Sequence, residues 1–483
     1  MLRLWVVAAL VLGLFASPLL AASNSTSVSA SATAIAAGLG QSCAMTRTGG
    51  VKCWGANGHD ELGAGTTRGS SVPVGVSGLG SGVKAIAAGA RHTCALTSAG
   101  GVKCWGNNSS GTLGNGTTGR PFRPVEVFGL SSGVTAIAAG LDHSCALTSS
   151  GGVKCWGYNR FGELGDGTTS DRSTPVDVSG LGSGVTGIAA GGFQSCALTS
   201  AGGVKCWGGA TGNRLTPVDV PGLGNATAIA AGSGHGCALT RAGGVKCWGR
   251  NDSGQLGDGT TRDSATPVDV SGLSSGVKAI ATGAGNSCAL TGTSGVKCWG
   301  LNDFGQLGDG TTGNHSTPVD VLGLNSGVTA IAAGSFHGCA LTSSGGIRCW
   351  GLNGSGQLGD RTTVNRPTPV GVTGFGAAKA KLAIVSRLIP VARTKIAAVK
   401  VRCGSPARCQ GTLTLTTSRL TLGSRAFSIA AGRKQTVKVE LTAVGYKLLV
   451  RVKRLSTRVR ISYRQPSGGT TTSTRTITLA AAG

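Results

Sequence analysis

Hydrophobic residues along this chain fall in runs of four to six, bounded by glycine, without a helical period of useful length. Between residues 32 and 372 the runs repeat in a fixed order, typified by TAIAAG, SCALTS, GVKCWG and TPVDV. Runs that are apolar on both faces are typical of strands in a sheet packed between two other sheets. The pattern therefore predicts four short strands per repeat, separated by glycine-rich turns.

The four-run unit occurs seven times. Each copy carries two cysteines ten positions apart, and successive copies begin 51 residues apart, except after Cys196, where the step falls to 41. A fixed period of about this length indicates one supersecondary unit stacked on itself. Seven four-stranded sheets around an axis form a β-propeller. The predicted fold class is therefore all-β, with a seven-bladed β-propeller over residues 32–375.

The chain after Phe375 has a different composition. It carries 21 Lys or Arg residues against the single acid Glu440, whereas the first 375 residues carry 23 basic and 17 acidic side chains. Its alternating runs predict the strands of a small immunoglobulin-like β-sandwich over residues 376–483. The predicted strands are Lys395–Cys403, Gln410–Thr417, Ala426–Ala430, Thr436–Leu441, Arg458–Tyr463 and Arg475–Ala480. Their cations either form the solvated face of the sandwich or attach the protein to an anionic cell-surface polymer.

The first residues are typical of a processing segment. Arg3 precedes an apolar run from Leu4 to Leu20, and small residues follow it. This order predicts a secretory signal peptide over residues 1–22 and a linker over residues 23–31. No later stretch has 18 uninterrupted apolar residues, so we expect a secreted or surface-associated protein without a transmembrane span after signal removal.

Export to an oxidising compartment predicts that the sixteen cysteines form disulfides. Each pair flanks a hairpin pattern, and placing Cys145 opposite Cys155 also places Leu147 opposite Val153 on the same face. The expected pairs are Cys43–Cys53, Cys94–Cys104, Cys145–Cys155, Cys196–Cys206, Cys237–Cys247, Cys288–Cys298, Cys339–Cys349 and Cys403–Cys409. The ten-residue spacing lacks the short knuckle that zinc sites use, so no metal is expected. No cofactor is expected either.

The repeat text resembles a known family. A glycine-histidine start, an A-L-T hairpin, a W-G dipeptide and an N-x-x-G-Q-L-G-D-G-T-T loop are similar to the regulator of chromosome condensation repeats, most clearly over 279–321 and 330–372. The resemblance implies a seven-bladed propeller. The paired cysteines depart from the eukaryotic pattern and fit an exported bacterial version. The basic segment loosely resembles immunoglobulin-like modules of exported bacterial proteins.

Several slots recur in most copies, and each has a structural and a functional interpretation. The seven W-G tryptophans are interpreted as core between blades rather than as photoreceptors. His92, His143, His235 and His337 share a slot with Gln41, Gln194 and Asn286. Amides replace a hydrogen-bonding imidazole better than a metal ligand. The G-D-G-T aspartates suit an Asx turn better than a calcium site, because Ala64 and Asn115 also fill the slot.

The residues that vary between copies are the candidate binding residues, because binding commonly resides in variable loops on a rigid scaffold. The predicted binding residues are Arg91, Asp142, Phe193 and Phe336 before the first cysteine, and Tyr158, Arg160, Phe161, Arg250, Leu301, Phe304 and Leu352 after the W-G dipeptide. Ten residues are missing after Trp207, which is either a tolerated deletion or a partner site.

The predicted function is that of a non-enzymatic exported scaffold. It would bind an unknown protein or polysaccharide at the cell envelope. An alternative is a secreted inhibitor of an extracellular enzyme such as a β-lactamase, a role known among secreted relatives of this architecture. A second alternative, implied by the resemblance, is guanine-nucleotide exchange. No copy carries the wedge-like insertion on which that activity depends.

Overall fold

The computed structural model describes residues 30–376, 382–384, 388–391, 394–403, 409–418, 420–430, 433–464 and 470–481. The predicted signal peptide over 1–22 and most of the linker over 23–31 lie outside the described residues.

Residues 32–371 form seven four-stranded antiparallel sheets, one for each repeat. The first three blades comprise β1 (Ala32–Ala37), β2 (Gln41–Thr46), β3 (Val51–Gly55) and β4 (Ser70–Gly75); β5 (Val83–Ala88), β6 (His92–Thr97), β7 (Val102–Gly106) and β8 (Val125–Glu126); β9 (Val134–Ala139), β10 (His143–Thr148), β11 (Val153–Gly157) and β12 (Arg172–Asp177). The fourth and fifth blades comprise β13 (Val185–Ala190), β14 (Gln194–Thr199), β15 (Val204–Gly208), a 3₁₀ turn (Gly209–Thr211) and β16 (Arg214–Asp219); β17 (Ala226–Ala231), β18 (His235–Thr240), β19 (Val245–Gly249) and β20 (Ser264–Asp269). The last two comprise β21 (Val277–Thr282), β22 (Asn286–Thr291), β23 (Val296–Gly300) and β24 (His315–Asp320); β25 (Val328–Ala333), β26 (His337–Thr342), β27 (Ile347–Gly351) and β28 (Arg366–Gly371).

The register within each blade follows the cysteines. In the third blade Cys145 lies opposite Cys155 and Leu147 lies opposite Val153, as predicted. The two cysteine Cα atoms are 4.1 Å apart, the short distance of a directly opposed pair in an antiparallel ladder. All eight predicted disulfides form, and none of the described cysteines is free. The seven-bladed propeller and the predicted disulfide pairing are therefore confirmed.

The core lies between neighbouring blades. Trp207 of the fourth blade packs against Cys145, Cys155, Leu164 and Val178 of the third. The other six tryptophans likewise insert into the core of the preceding blade. A large buried aromatic at each junction contributes a large apolar area to the contact between two blades.

The ring closes between its two ends. Ala30 forms a parallel bridge with Phe375, and its N–H donates to the carbonyl of Gly374 at 2.9 Å. The Phe375 ring packs 5.9 Å from the ring of Trp54, so the closing segment covers the core between the last and first blades.

The remaining strands form one eight-stranded sheet. They are β29 (Leu382–Ile384), β30 (Leu388–Val391), β31 (Ile396–Cys403), β32 (Cys409–Thr416), β33 (Thr421–Ile429), β34 (Lys434–Glu440), β35 (Arg454–Arg464) and β36 (Thr470–Ala481), with helix α1 (Ala443–Val452) before β35. The sheet runs β33–β32–β35–β36–β30–β31, with β29 and β34 also paired to β31. Its buried residues, among them Val399, Leu413 and Ile461, form a single core.

This nearly closed sheet fits the predicted sandwich. All six predicted strands are present, but β29, β30 and α1 were not predicted. The helix begins after Thr442, whose hydroxyl accepts the Gly445 N–H at 3.1 Å, an N-cap that satisfies a free donor of the first turn. No helix in the described part of the chain is long and apolar enough to cross a membrane.

Candidate binding face

The loops between the first and second strands of each blade, and those between the third and fourth, lie at the same end of the propeller because the strands are antiparallel. We call this end the loop face. All eleven predicted binding residues lie in these loops, four in the first type and seven in the second. The predicted binding residues therefore lie on one side of the ring.

Backbone hydrogen bonds hold the two loop types of a blade side by side. The N–H of Tyr158 donates to the carbonyl of Asp142 at 2.9 Å, and that of Leu352 donates to Phe336 at 2.9 Å. The equivalent bond in the fourth blade joins Gly209 to Phe193 at 2.6 Å. The variable side chains of one blade consequently lie next to each other.

Four of the predicted residues line one pocket of about 600 Å³ on the loop face. These are Phe161, Phe193, Arg250 and Leu301, contributed by the third to sixth blades. The Phe161 and Phe193 rings make an edge-to-face contact at 5.7 Å, yet each side chain remains 39% exposed. Tyr158 extends this cluster, with its ring 6.3 Å from Phe161.

The other predicted residues are not brought into this pocket. Phe304 and Phe336 form a separate contact at 5.5 Å between the sixth and seventh blades. Arg91, Asp142, Arg160 and Leu352 do not line the pocket either. The eleven residues therefore divide into one pocket cluster, one aromatic pair and scattered positions.

The charged edge of the pocket is an ion pair. Arg250 Nη2 lies 2.6 Å from Asp252 Oδ2, and Gln255 Nε2 donates to Asp252 Oδ1 at 3.1 Å. The hydrogen bond from Arg250 lowers the pKa of the Asp252 carboxyl. Sequence reasoning missed Asp252, although it stands two residues after a predicted binding arginine.

A short connection forms another wall of the pocket. Five residues, 209–213, connect β15 to β16, whereas fourteen, 250–263, connect β19 to β20. Gly209, Ala210 and Asn213 of this connection line the pocket. Nine of the ten residues missing after Trp207 are thus lost from the connection that lines the candidate pocket. Sequence reasoning did not connect them.

Two exposed aromatics were also missed. Phe122 is 54% exposed in the loop before β8, and Phe128 is 68% exposed just after it. The other copies carry small or aliphatic residues at both positions, so comparison between copies did not mark either position as aromatic.

The slot histidines are buried hydrogen-bonding groups. His143 Nε2 lies 2.8 Å from Ser195 Oγ, which donates to the carbonyl of Glu163 at 2.9 Å. A hydroxyl has one hydrogen, so the ring must donate from Nε2, leaving Nδ1 as a bare acceptor without a partner. Burial lowers the pKa of His143 to about 4.

The same arrangement explains why some copies carry an amide in this slot. The other histidine–serine pairs are His92–Ser144, His235–Ser287 and His337–Ser42. Where the next blade offers Thr93, Gly236 or Gly338 instead of serine, the slot holds Gln41, Gln194 or Asn286. No group of histidine, cysteine or acidic residues in the described ranges could hold a metal ion.

The carboxylates of the G-D-G-T aspartates accept hydrogen bonds from nearby residues of the same blade. Asp166 Oδ1 accepts from the N–H and hydroxyl of Thr168, and Asp166 Oδ2 accepts from Arg172. These bonds lower the pKa of Asp166 although its partial burial acts in the opposite direction. They are those of an Asx turn.

Known proteins match this chain in sequence and structure. A family model described as an RCC1-like domain matches residues 15–271, and models of the regulator of chromosome condensation (RCC1) repeat match 277–306, 328–357 and 296–341. The ultraviolet-B receptor UVR8 of Arabidopsis thaliana is 31% identical over 324 residues, which are 66% of this chain and 64% of that protein. The E3 ubiquitin-protein ligase HERC2 of Homo sapiens is 33% identical over 59% of this chain, which spans 5% of its length.

A solved structure supports the fold. Prp20p of Saccharomyces cerevisiae superimposes with a TM-score of 0.61 at 22% identity, over 71% of this chain and 88% of that protein. The first family model alone matches just over half of the chain. The chain belongs to the regulator of chromosome condensation family, as an RCC1-like β-propeller.

Proposed function

We propose that this protein is an exported, non-enzymatic scaffold that binds another protein through the loop face of its propeller. The observation that carries the proposal is the pocket of about 600 Å³ at the shortened connection, lined by Phe161, Phe193 and Arg250. Aromatic and arginine side chains dominate the energetics of protein interfaces when they are presented on a rigid support. The disulfide across the central hairpin of every blade provides such a support.

The exposure of the two rings supports a protein ligand. Aromatic residues make up only 4% of the chain, yet two of them, Phe161 and Phe193, lie together and are each 39% exposed. Their edge-to-face contact fixes both rings at little cost in side-chain entropy, because each ring has only two rotatable bonds. A partner side chain that enters the pocket would displace water from both rings and lie beside the Arg250–Asp252 pair.

The disulfides support export. Every described cysteine is bonded, and the sulfurs in the propeller are buried. Disulfides of this kind persist in oxidising compartments and are rare where thiols are kept reduced. Together with the predicted signal peptide, they support placement at or beyond the cell envelope.

The second part of the proposal is that the basic sheet attaches the protein to an anionic cell-surface polymer. Arg402 of β31 lies directly opposite Lys434 of β34, and both side chains are exposed. Like charges in directly opposed positions repel each other. Neither has an acidic partner among the described residues. A bound polyanion would relieve this repulsion.

Site-specific photocrosslinking tests the loop face. A photoreactive residue at Phe193, used in the exported full-length protein, is expected to label a defined partner in the envelope fraction. The same residue at Ser200, exposed in the hairpin at the opposite end of the same blade, is the matched control. Equal labelling from both ends, or none from Phe193, would contradict the proposal.

Retention on envelopes tests the basic sheet. The protein with and without residues 376–483 is applied to washed envelopes at low salt, and the bound fraction is measured as salt is raised. We expect weaker retention of the shortened protein and a steep loss of the intact protein with salt. Equal retention at low salt would exclude the attachment role.

A further inference from the structure

Six of the seven blade junctions carry the same clamp. Trp207 donates its indole N–H to the carbonyl of Glu163 at 2.8 Å, and the next residue, Leu164, is fully buried against it. Gly165 completes the turn against Trp207 and Val178, so close that a Cβ there would lie 2.8 Å from the indole nitrogen. Equivalent bonds join Trp54 to Gln357, Trp105 to Glu61, Trp156 to Thr112, Trp299 to Gln255 and Trp350 to Gln306.

The clamp loop also binds the outer strand of the following blade. The N–H of Gly116 donates to the carbonyl of Ser173 at 2.8 Å, and that of Gly167 donates to Leu215 at 3.0 Å. The same position accepts a backbone N–H in three further junctions, at Ser71, Ser316 and Pro367. In these five junctions one loop thus supplies a carbonyl, a leucine side chain and an N–H to its neighbour.

The junction between the fourth and fifth blades lacks all three groups, because the shortened connection 209–213 replaces the loop. Within the described residues, the Trp248 indole N–H has no acceptor and the Ala265 carbonyl has no donor from the preceding blade. Trp248 is 6% exposed, whereas the other six tryptophans are at most 1% exposed. Val220 is half-buried, although its six counterparts are buried. We call Trp248, Val220 and Ala265 the notch.

We propose that the notch is a docking site for a loop of the partner protein that supplies the missing groups. The six filled junctions specify the first two groups of this loop: a backbone carbonyl that accepts from Trp248, then an aliphatic side chain of leucine size against Val220. Five of them also specify the third, an N–H for the Ala265 carbonyl. This inference rests on the proposed function and names its ligand. The adjacent pocket, which shares the connection 209–213 as a wall, would hold the flanking residues of that loop.

The chain contains its own probe. A synthetic peptide of residues 302–312, NDFGQLGDGTT, carries the clamp sequence of the sixth blade. We expect it to produce a saturable shift of the Trp248 indole N–H signal in a ¹H–¹⁵N spectrum of the mature protein, with the other tryptophan signals unchanged. The Trp248→Phe variant assigns that signal. A peptide with alanine in place of its leucine should bind about 10- to 100-fold more weakly, given the free energy of burying a leucine side chain.

Three results would overturn the proposal. The first is no shift of the Trp248 signal, and the second is equal affinity of the leucine and alanine peptides. The third is a Trp248 shift that depends on protein concentration without peptide, since the occupant would then be a second copy of this chain.

A loop graft separates this proposal from the proposed function. Replacing residues 209–213 with the sequence of 250–263 should fill the notch and abolish both peptide binding and crosslinking from Phe193. The matched control carries the same graft with its leucine changed to alanine, and we expect it to fill the notch less completely. Crosslinking that survives the filled notch would overturn notch docking and leave the proposed function standing. If the protein without any graft shows no crosslinking from Phe193, the proposed function is overturned.

Discussion

The buried histidines predict that the propeller loses stability in mild acid. His143 is fully buried, and its bare Nδ1 has no acceptor for a second proton, so its pKa in the folded protein falls to about 4. In the unfolded chain a histidine titrates near 6.5. The unfolded state therefore binds more protons, and stability is lost as pH falls from about 6.5 toward 4.

The size of this loss follows from the difference in pKa. At pH 5, an unfolded-state pKa of about 6.5 gives a loss of about 2 kcal/mol for each histidine. His92 titrates near 3 and His235 and His337 near 4, all lowered by burial. Four such groups give about 8 kcal/mol at pH 5, which is comparable to the whole stability of many domains.

Replacing one histidine with glutamine tests this reasoning. Gln194 already fills the same slot and donates to the His235 carbonyl at 2.7 Å, so His143→Gln should fold. Urea unfolding, followed by tryptophan fluorescence at pH 8 and pH 5, should show about 2 kcal/mol less acid destabilisation in the variant. An unchanged difference between the two pH values would refute the assignment of the lost stability to the buried imidazole. Ser195→Ala is a second variant, expected to lower stability at pH 8 without removing the titrating group.

Three further predictions concern stability. Trp207→Phe should cost about 1–2 kcal/mol more in free energy of unfolding than Trp248→Phe, because only Trp207 has a buried hydrogen bond to lose; equal losses in urea titrations would contradict the notch geometry. The propeller disulfides should resist reduction until the protein unfolds, since their sulfurs are buried; after a reductant and a thiol-alkylating reagent are added in native buffer, mass spectrometry should find no labelled propeller cysteine. Thr442→Ala should destabilise α1 by about 1 kcal/mol through loss of its N-cap, measured as a lower urea midpoint, with the conservative Thr442→Ser as the control that retains most of the stability.

The sequence was sufficient to predict the blades, because the same pattern of four apolar runs recurs seven times. The cysteine spacing fixed the hairpin register, and the register placed Leu147 opposite Val153. The pairing of His143 with Ser195 was also accessible, since the two residues stand 52 positions apart, one repeat plus one residue. It was missed because each position was compared with the same position in the other copies, and not with the adjacent position in the following copy.

The pocket was less accessible to sequence reasoning. Phe161 and Leu301 are 140 positions apart, and their approach depends on the order of blades around the axis and on the length of one connection. The helix after Thr442 was missed for a different reason. Its sequence AVGYKLLVRV has no acidic residue in its first turn and includes a glycine, so only the threonine cap and one basic residue in the last turn signal a helix.

The shortened connection in the fourth blade is better explained as a binding site than as a neutral loss. A deletion that removes a buried leucine leaves a cavity or collapses, and the usual cost is about 2–5 kcal/mol. Here neither collapse nor repair has occurred: Trp248 keeps its place in the core of the fourth blade, Val220 remains half-buried, and Ala265, a small residue, is exposed. Larger side chains at Val220 or Ala265 would fill the space without changing the backbone. Each blade is held internally by its own disulfide and the other six junctions are closed by their tryptophan clamps, so the ring tolerates one open junction. An open junction on a rigid ring is a surface whose missing contacts a partner can supply.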